Sequence, residues 1–431
     1  MARIVLLGAG SMVFTKNLLS DLLSYPELAE STLVLHDIDG LRLSDARLLA
    51  ERMVAGAGSG ILIESHLDQD PALDGADYVI NEIMVGGMAS AETDFQIAAG
   101  YGVRQTIADT LGIGGVFRAL RTIPVMVALG DNMARRCPDS LLLNYTNPMS
   151  MVPWGVYAGS PFQRVVGICH SVRDTQALLA DLVGVPAAEV DFLTAGVNHQ
   201  AFVLRFERAG ENLYPLLDKV IDADPDGLGR RVRVAMYRAL GYFPTESSEH
   251  GAEYVPWFMR HDGEIERYRI EVSGYLRRLA AHRDEYYEVT RQLADGEPVR
   301  PEPTNELAPL IIRSIETGTP AIVHGNVRNG SKITNLPADA CVEVPCQVDG
   351  SGVHPMTIGD LPPQLAALNR NFLNVSELTV RAVLEGRRDY VYHAAMLDPN
   401  TAATLPLSRI RQMVDDYFAV YRDSLPPGLR R

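Results

Sequence analysis

The sequence predicts an α/β fold. A doubly wound parallel sheet of the dinucleotide-binding kind is expected over residues 1–195, with a C-terminal α+β domain over residues 196–431. Three observations predict it. The chain opens on a hydrophobic strand that runs into a glycine turn, Gly8-Ala9-Gly10. Short apolar runs then alternate with helical periods, as in a parallel sheet covered on both faces. After about residue 195 that alternation blurs into longer helical segments with irregular links.

Arg3 to Leu7 is the first strand, and its turn continues Ser11-Met12-Val13-Phe14. Gly8 permits a tight turn and Gly10 lets the backbone approach a pyrophosphate. A helix from roughly Phe14 to Ser24 would aim its N-terminal N–H groups at that anion, so Gly8, Gly10, Ser11 and Met12 are the candidate cofactor contacts. Val13 stands where a third glycine would complete the fingerprint, so a generic strand–helix turn is the plain alternative. The second strand, Thr32 to Leu35, ends at His36-Asp37. A carboxylate there suits a ribose 2′-hydroxyl and repels a 2′-phosphate, favouring NAD over NADP.

The alternation goes on with a helix over Leu41 to Met53 and strands near Ile61 to Glu64 and at Tyr78 to Ile83. Met84-Val85-Gly86-Gly87 then forms a loop at a strand's C-terminal end, where ligands bind in such sheets. In Asp109-Thr110-Leu111-Gly112-Ile113-Gly114-Gly115 an acid and a threonine sit among glycines before a helix reaching about Arg136. Such a run marks either a backbone packed close to a ligand or a plain loop. Ser140 to Tyr145 is a strand, and Asn147-Pro148 beyond it is a turn signal that also offers an amide to a substrate hydroxyl or a nicotinamide.

Val165 to Ile168 reads as a short buried strand ending at Cys169-His170. Thirty residues on, His199 ends Gly196-Val197-Asn198-His199 beside another apolar run, Ala201 to Phe206. A thiolate and an imidazole from two strand ends could hold one divalent metal. A buried cysteine and a helix-capping histidine are the alternative. Thr245 to Phe258 concentrates ionisable and aromatic groups, and a helix there would put His250 and Tyr254 on one face. Tyr254 could serve as a base only with a pKa far below its usual value of about 10; otherwise it is a core tyrosine. Asp222 to Gly229 is an exposed acidic loop, Asp295 to Thr304 a Pro-rich connector, and Cys341 and Cys346 are buried structural cysteines. Asn374 to Glu385 and Thr401 to Tyr421 read as amphipathic helices that complete the second domain or form a subunit contact.

A net charge of −15 argues against nucleic acid or an anionic membrane as partner. No run of about 18 apolar residues suggests a membrane span. Four cysteines in 431 residues make no disulfide framework, and the N-terminus lacks a signal-peptide pattern, so a cytoplasmic location is expected.

These residues together resemble family 4 of the glycoside hydrolases, and within it the bacterial alpha-galactosidases. The resemblance runs from Gly8-Ala9-Gly10-Ser11 through the Asp109 to Gly115 run, Asn144-Tyr145-Thr146-Asn147-Pro148-Met149, Cys169-His170-Ser171-Val172, Asn198-His199 and Thr245 to Phe258. It ends at Tyr392-His393-Ala394-Ala395-Met396 through Asp398-Pro399, and so spans essentially the whole chain. It implies a Rossmann-type, lactate/malate dehydrogenase-like N-terminal sheet, NAD and Mn2+ as cofactors, an alpha-galactoside such as melibiose as substrate, and a homodimer or homotetramer. The family stands outside the two-carboxylate scheme of glycoside hydrolysis. Its route is NAD-dependent oxidation at C3, deprotonation at C2, elimination of the aglycone, addition of water and re-reduction. Oxidation plus a metal turns an inert C–H into one that a side chain can deprotonate.

Carried over position by position, Cys169 and His199 match the metal ligands, Tyr254 the base, and Asp109 an acid that raises the tyrosine's basicity. Asn147 matches a substrate-holding amide. His170 occupies the position of the leaving-group acid in phospho-glycosidase relatives, and Cys-His-Ser-Val resembles the alpha-galactosidase version of that motif. Ala91 stands where those relatives place a substrate-binding arginine, which fits a substrate without phosphate. Thiolate is an unusual partner for Mn2+. The first rival is a 2-hydroxyacid dehydrogenase, which needs an arginine to clamp a carboxylate; the loop Met88 to Asp94 has none. The second is an NAD-binding sensor with a dead sugar pocket, against which intact Cys169, His199, Asp109 and Tyr254 weigh. Related enzymes acting on an alpha-glucoside or a uronide stay open.

Overall fold

The computed structural model describes residues 1–430. The apolar runs of the N-terminal half become six parallel strands: Arg3–Leu7 (β1), Thr32–His36 (β2), Leu62–His66 (β3), Tyr78–Asn81 (β4), Leu141–Asn144 (β5) and Val165–Ile168 (β6). Their order is β3-β2-β1-β4-β5-β6, with Leu6 opposite both Leu35 and Ile80. Strands β1, β4, β5 and β6 are buried almost throughout, because helices cover both faces. The order reverses between β1 and β4, and the crevice outside their C-terminal ends is where such sheets take ligands.

The sheet does not stop there. Asp191–Val197 (β7), Gln200–Arg208 (β8), Glu211–Asn212 (β9), Phe243–Pro244 (β10), Ala321–Arg328 (β11), Cys341–Asp349 (β12) and Gly352–Pro355 (β13) extend it. Beyond β6 the order is β11-β12-β7-β8-β10, all antiparallel, and β9 and β13 flank β8 and β12. The ends of β6 and β7, 23 residues apart in sequence from Ile168 to Asp191, are thus separated by only two strands. The expected Tyr78–Ile83 strand stops at Asn81, where the chain splays out towards the Gly87–Gly100 helix.

The Gly112–Arg136 helix crosses the core and packs on the Val152–Gly159 and Pro363–Glu385 helices. The approach is close: a Cβ at Gly155 would lie 2.6 Å from Cγ2 of Ile123. Among the described residues this is the one helix long and apolar enough to cross a bilayer, and 72% of its apolar window is buried inside the protein, so packing accounts for its apolarity. One large apolar cluster runs through both halves of the sheet. A smaller one, with Met236, Ala252, Val255 and Phe258, backs the short Ser248–Glu253 helix.

Candidate active site

At the end of β1 the chain turns through Gly8 at φ +91°, and the Gly8 and Ala9 N–H groups donate to the carbonyl of His36 at 2.9 and 3.0 Å. The N–H of Gly10 donates to Oδ2 of Asp37 at 2.8 Å. A Cβ at Gly10 would come within 2.7 Å of that oxygen and of Arg42 Cβ, so the protein's own packing excludes a side chain there. Asp37 Oδ1 also accepts from Asp39 N, and each oxygen keeps a further lone pair for a ribose. The helix begins at Met12, two residues ahead of the expected start, and Ser11 at its N-cap leaves the first-turn N–H groups without a side-chain cap. Met12 is buried in the core, which leaves its main-chain N–H as what it can offer. Glu82 packs against Gly8 with a buried, unpartnered Oε1. Burial, then Glu306 and Asp37, push its carboxyl well above the ordinary range, so it can donate a hydrogen bond.

The asparagines at the ends of β4 and β5 shape the next loop. Asn81 Nδ2 donates to Asn144 Oδ1 at 2.8 Å and to Thr146 Oγ1 at 3.0 Å. Half-buried Arg118, on the long core helix, holds the Asn147 carbonyl at 3.2 Å. Asn147 Nδ2 then donates to Asp109 Oδ2 at 2.8 Å, while Asn147 Oδ1 is buried without a partner. Burial alone would raise the Asp109 carboxyl; His250, Arg118 and His199 outweigh it and hold the group well below the carboxylate range.

Cys169 follows β6 directly and is partly exposed, whereas Cys137, Cys341 and Cys346 are buried. His199 lies in the two-residue turn between β7 and β8. That turn is tied down by Asn198 Nδ2, which donates to Oε1 of buried Glu343 at 3.0 Å. Burial raises the Glu343 carboxyl to about 7. Cys169 Sγ, a ring nitrogen of His199 and a carboxylate oxygen of Glu246 lie within 4.8 Å of one another. Glu246 Oε2 is 4.0 Å from the sulfur and 3.8 Å from His199 Nε2. Burial opposes a charged imidazole, but Cys169, Glu246 and Asp109 outweigh it and raise His199 to about 10. The chain by itself holds a proton where those groups could hold a cation.

His250 stands beside this cluster, its ring centroid 4.6 Å from that of His199 and 6.0 Å from that of Tyr254. The helix ends at Glu253, so Tyr254 is its C-terminal cap rather than part of its face, yet the two rings still adjoin. The Tyr254 hydroxyl is buried without a hydrogen-bond partner. Burial first, then Asp109 and Glu253, push its pKa well above 10; Asp109 acts in the direction expected of it, but the fall below 10 that service as a base requires is not produced by the protein's own groups. His170 turns elsewhere. Its Nε2 lies 2.7 Å from Oε2 of buried Glu306, its ring stacks on Tyr145 at 5.8 Å, and it makes no helix-capping bond. Ala91 lines a narrow cavity with Arg118, Arg121 and Tyr275.

The structure therefore brings Cys169, His199, Asp109, Asn147 and Tyr254 together, places Gly8, Gly10, Ser11 and Asp37 on the nucleotide crevice, and puts His170 on a separate contact with Glu306. Thr110, Arg118, Glu246, Glu306 and Glu343 were missed as site residues. Thr110 was readable, since it adjoins Asp109 in the glycine run; Glu306, at the end of a Pro-rich connector, carried no signal.

A dinucleotide sheet with a thiol, imidazole and carboxylate cluster at its edge defines a nucleotide- and metal-handling class of enzyme. The family 4 glycosyl hydrolase model matches residues 3–185 and the family's C-terminal domain model matches residues 194–401; the chain belongs to this family of glycosidases. It is 38% identical over 430 residues to an alpha-galactosidase of Bacillus subtilis (strain 168), covering 99% of each chain. It is 32% identical over 440 residues to an alpha-galactosidase of Rhizobium meliloti (strain 1021), covering 98% of this chain and 89% of that one. Other relatives are named alpha-glucosidase and alpha-galacturonidase, each at 27% identity. In structure the chain is similar to a 6-phospho-alpha-glucosidase from gut microorganisms solved with NAD and Mn2+ (TM-score 0.83, 21% identity, 99% of each chain). A malate dehydrogenase of Picrophilus torridus shares the fold at TM-score 0.53 and 13% identity, over 90% of this chain and 98% of that one.

Proposed function

We propose that this glycosidase is an alpha-galactosidase acting on alpha-galactosides such as melibiose with NAD and a divalent cation. The observation that carries the reading is the linked set of Cys169, His199 and Asn147 from strand ends with Asp109 from the loop before the long core helix. The donor chemistry fits a cation, since sulfur, imidazole and carboxylate converge. The orphaned Asn147 Oδ1 and Tyr254 Oη fit a polyhydroxylated ligand. The uncapped helix start at Ser11, with Asp37 close by, fits a dinucleotide. When bound, NAD supplies a hydride acceptor and donor, and a divalent cation supplies positive charge for sugar oxygens and for a nearby phenol.

The chain's own residues do the rest. Cys169 and His199 hold the cation. Asn147, fixed by Asp109 and Arg118, presents its free carbonyl oxygen to a sugar hydroxyl. Tyr254, once the charge of a bound cation lets its own proton pass to solvent, would take the C2 proton, exchange it with water and deliver a solvent-derived proton to C2 after elimination. Asp37 accepts from the ribose, and Glu82 can donate within the same crevice. His170, whose Nε2 is paired with Glu306 at 2.7 Å, would have to turn from that partner to contact the substrate and serve the departing oxygen. Ala91 offers no cation to a phosphate. The Cys169-His170-Ser171-Val172 run and the two alpha-galactosidase relatives support galactose over other sugars. The test is hydrolysis of melibiose under reducing conditions, with and without NAD and Mn2+, beside alpha-glucoside, galacturonide and 6-phospho substrates. Melibiose cleavage that needs both cofactors is expected. Preference for another sugar would reassign the substrate, and NADH accumulating from a hydroxy acid without sugar cleavage would refute the proposal.

A further inference from the structure

We propose that Glu246 is the third protein ligand of the metal centre and that Thr110 selects the nitrogen of His199 that joins it. This rests on reading Cys169 and His199 as cation ligands. Two sets of donors meet at His199. One is Cys169, His199 and Glu246; the other is Asp109, His199 and His250. One imidazole presents its two nitrogens in different directions, so the hydrogen bonding at Nδ1 decides between them.

Thr110 Oγ1 sits 2.9 Å from His199 Nδ1 and donates its one proton to Asp109 Oδ1 at 2.7 Å. With that proton spent, the hydroxyl oxygen accepts from Nδ1–H. His199 then keeps a proton on Nδ1, and Nε2, which faces Glu246 and Cys169, is the nitrogen that would exchange its proton for a cation. Such a carboxylate relay behind a histidine is how outer groups fix a metal-binding tautomer. It selects the first set, because the hydroxyl stands between Asp109 and the ring nitrogen that the second set would use.

Glu246 is built to complete that set. It holds φ +69°, a left-handed conformation that a non-glycine residue adopts only when its surroundings impose it. They do so on both sides. The N–H of Thr245 is bonded to Ala201 O at 2.9 Å, and Ser247 caps the next helix by accepting from His250 N. Ser247 N donates to Glu246 Oε1 at 3.1 Å and His250 Nδ1 lies 3.4 Å from it, which orients the carboxylate and leaves Oε2 facing the sulfur and Nε2. Separations of 3.8 and 4.0 Å are long for O···N and O···S hydrogen bonds. Donors at ordinary metal–ligand distances around one ion stand about 3–3.5 Å apart, so a closure of under about 1 Å suffices. The carboxylate also supplies the hard donor that a thiolate and an imidazole lack for Mn2+. Three protein donors on one side leave the other side open for vicinal sugar oxygens.

The test measures metal binding by the intact protein, not turnover. Mn2+ affinity is read from the electron paramagnetic resonance of the free ion, and coordination from the absorption of the Co2+-loaded protein. Wild type is compared with Glu246→Gln, Thr110→Val and Cys169→Ala, each checked for native circular dichroism. Glu246→Gln is expected to weaken Mn2+ binding at least tenfold and to shift the Co2+ ligand-field bands while the sulfur-to-cobalt band persists. Thr110→Val is expected to weaken Mn2+ about 10- to 100-fold, as losses of outer-shell partners do. Unchanged ligand-field bands in Glu246→Gln, whatever the affinity, would overturn the ligation by Glu246, and unchanged affinity in Thr110→Val would overturn the role of Thr110. If Cys169→Ala also binds Mn2+ normally, the metal-centre reading falls as well.

Discussion

Behind the Asp109 loop, Asp94 and Arg121 form a buried ion pair, and its removal gives a sharp prediction for the scaffold. The guanidinium donates to both carboxylate oxygens, at 2.6 and 3.2 Å, and the side chains are 4% and 2% exposed. Tyr421 donates to Asp94 Oδ1 at 2.8 Å, and Arg121 lies 4.2 Å over the Tyr421 ring. The pair thus joins the Gly87–Gly100 and Gly112–Arg136 helices to the C-terminal helix, Leu407–Tyr421. Asp94→Ala leaves Arg121 charged and buried, and deletions of this kind cost about 3–5 kcal/mol. Against a typical stability of about 5–15 kcal/mol that is a large fraction. Burial keeps the Asp94 carboxyl above its ordinary pKa despite Arg121, so the attraction does not fully offset desolvation. Asp94→Leu with Arg121→Met should therefore recover most of the loss. Urea unfolding followed by circular dichroism reads all three proteins. An Asp94→Ala variant losing less than about 1 kcal/mol, or a double variant no more stable than Asp94→Ala, would refute the reasoning.

Three further outcomes are expected. Tyr254→Phe should bind substrate and metal but slow proton exchange at C2 of the sugar in deuterated water by about 10²-fold or more, the scale of a lost general base; a wild-type exchange rate would remove Tyr254 as the base. Wild type should bind NAD more tightly than NADP, and Asp37→Ala should weaken NAD by roughly tenfold, about one charge-assisted hydrogen bond; fluorescence titrations giving equal affinities for the two nucleotides in wild type would contradict the role of Asp37. Burial raises the Asp398 carboxyl from 3.8 to about 6. The native state then binds the proton more tightly than the unfolded chain, so this group leaves stability unaffected below pH 3.8 and reduces it as pH rises through 6. That difference corresponds to about 3 kcal/mol. Unfolding curves at pH 4 and 8 should show Asp398→Asn gaining about that much on wild type, and a pH-independent difference would contradict it.

The parallel half of the fold was legible because its strands are short apolar runs with clear ends. Val165–Ile168 falls where expected, since polar Cys169 and His170 close the run. Strands β11 and β12 were not read. β12 is buried through six consecutive residues, interrupted by Pro345, and shows no alternation to mark it. Of the site, residues announced by glycine turns or strand ends were legible: Gly8, Asp37, Asp109, Asn147, Cys169 and His199. Glu246 sat in a stretch already noted for its ionisable groups. Helical spacing drew attention to His250 and Tyr254, whereas Glu246 precedes the helix in a left-handed conformation that no periodicity encodes. The partnership of His170 with Glu306 spans 136 residues and depends on the buried carboxylate of Asp21, which holds the connector through the N–H groups of Thr304, Asn305 and Glu306. Such long-range pairings arise only from the tertiary fold.

The most direct test of the central claim is the fate of the C2 hydrogen during turnover. Melibiose hydrolysed to completion in deuterated water by the NAD- and Mn2+-supplemented wild-type enzyme should release galactose carrying deuterium at C2, detected by NMR. Galactose with its original hydrogen fully retained at C2 would contradict a mechanism through oxidation and elimination, and with it the roles given to Tyr254 and Asp109.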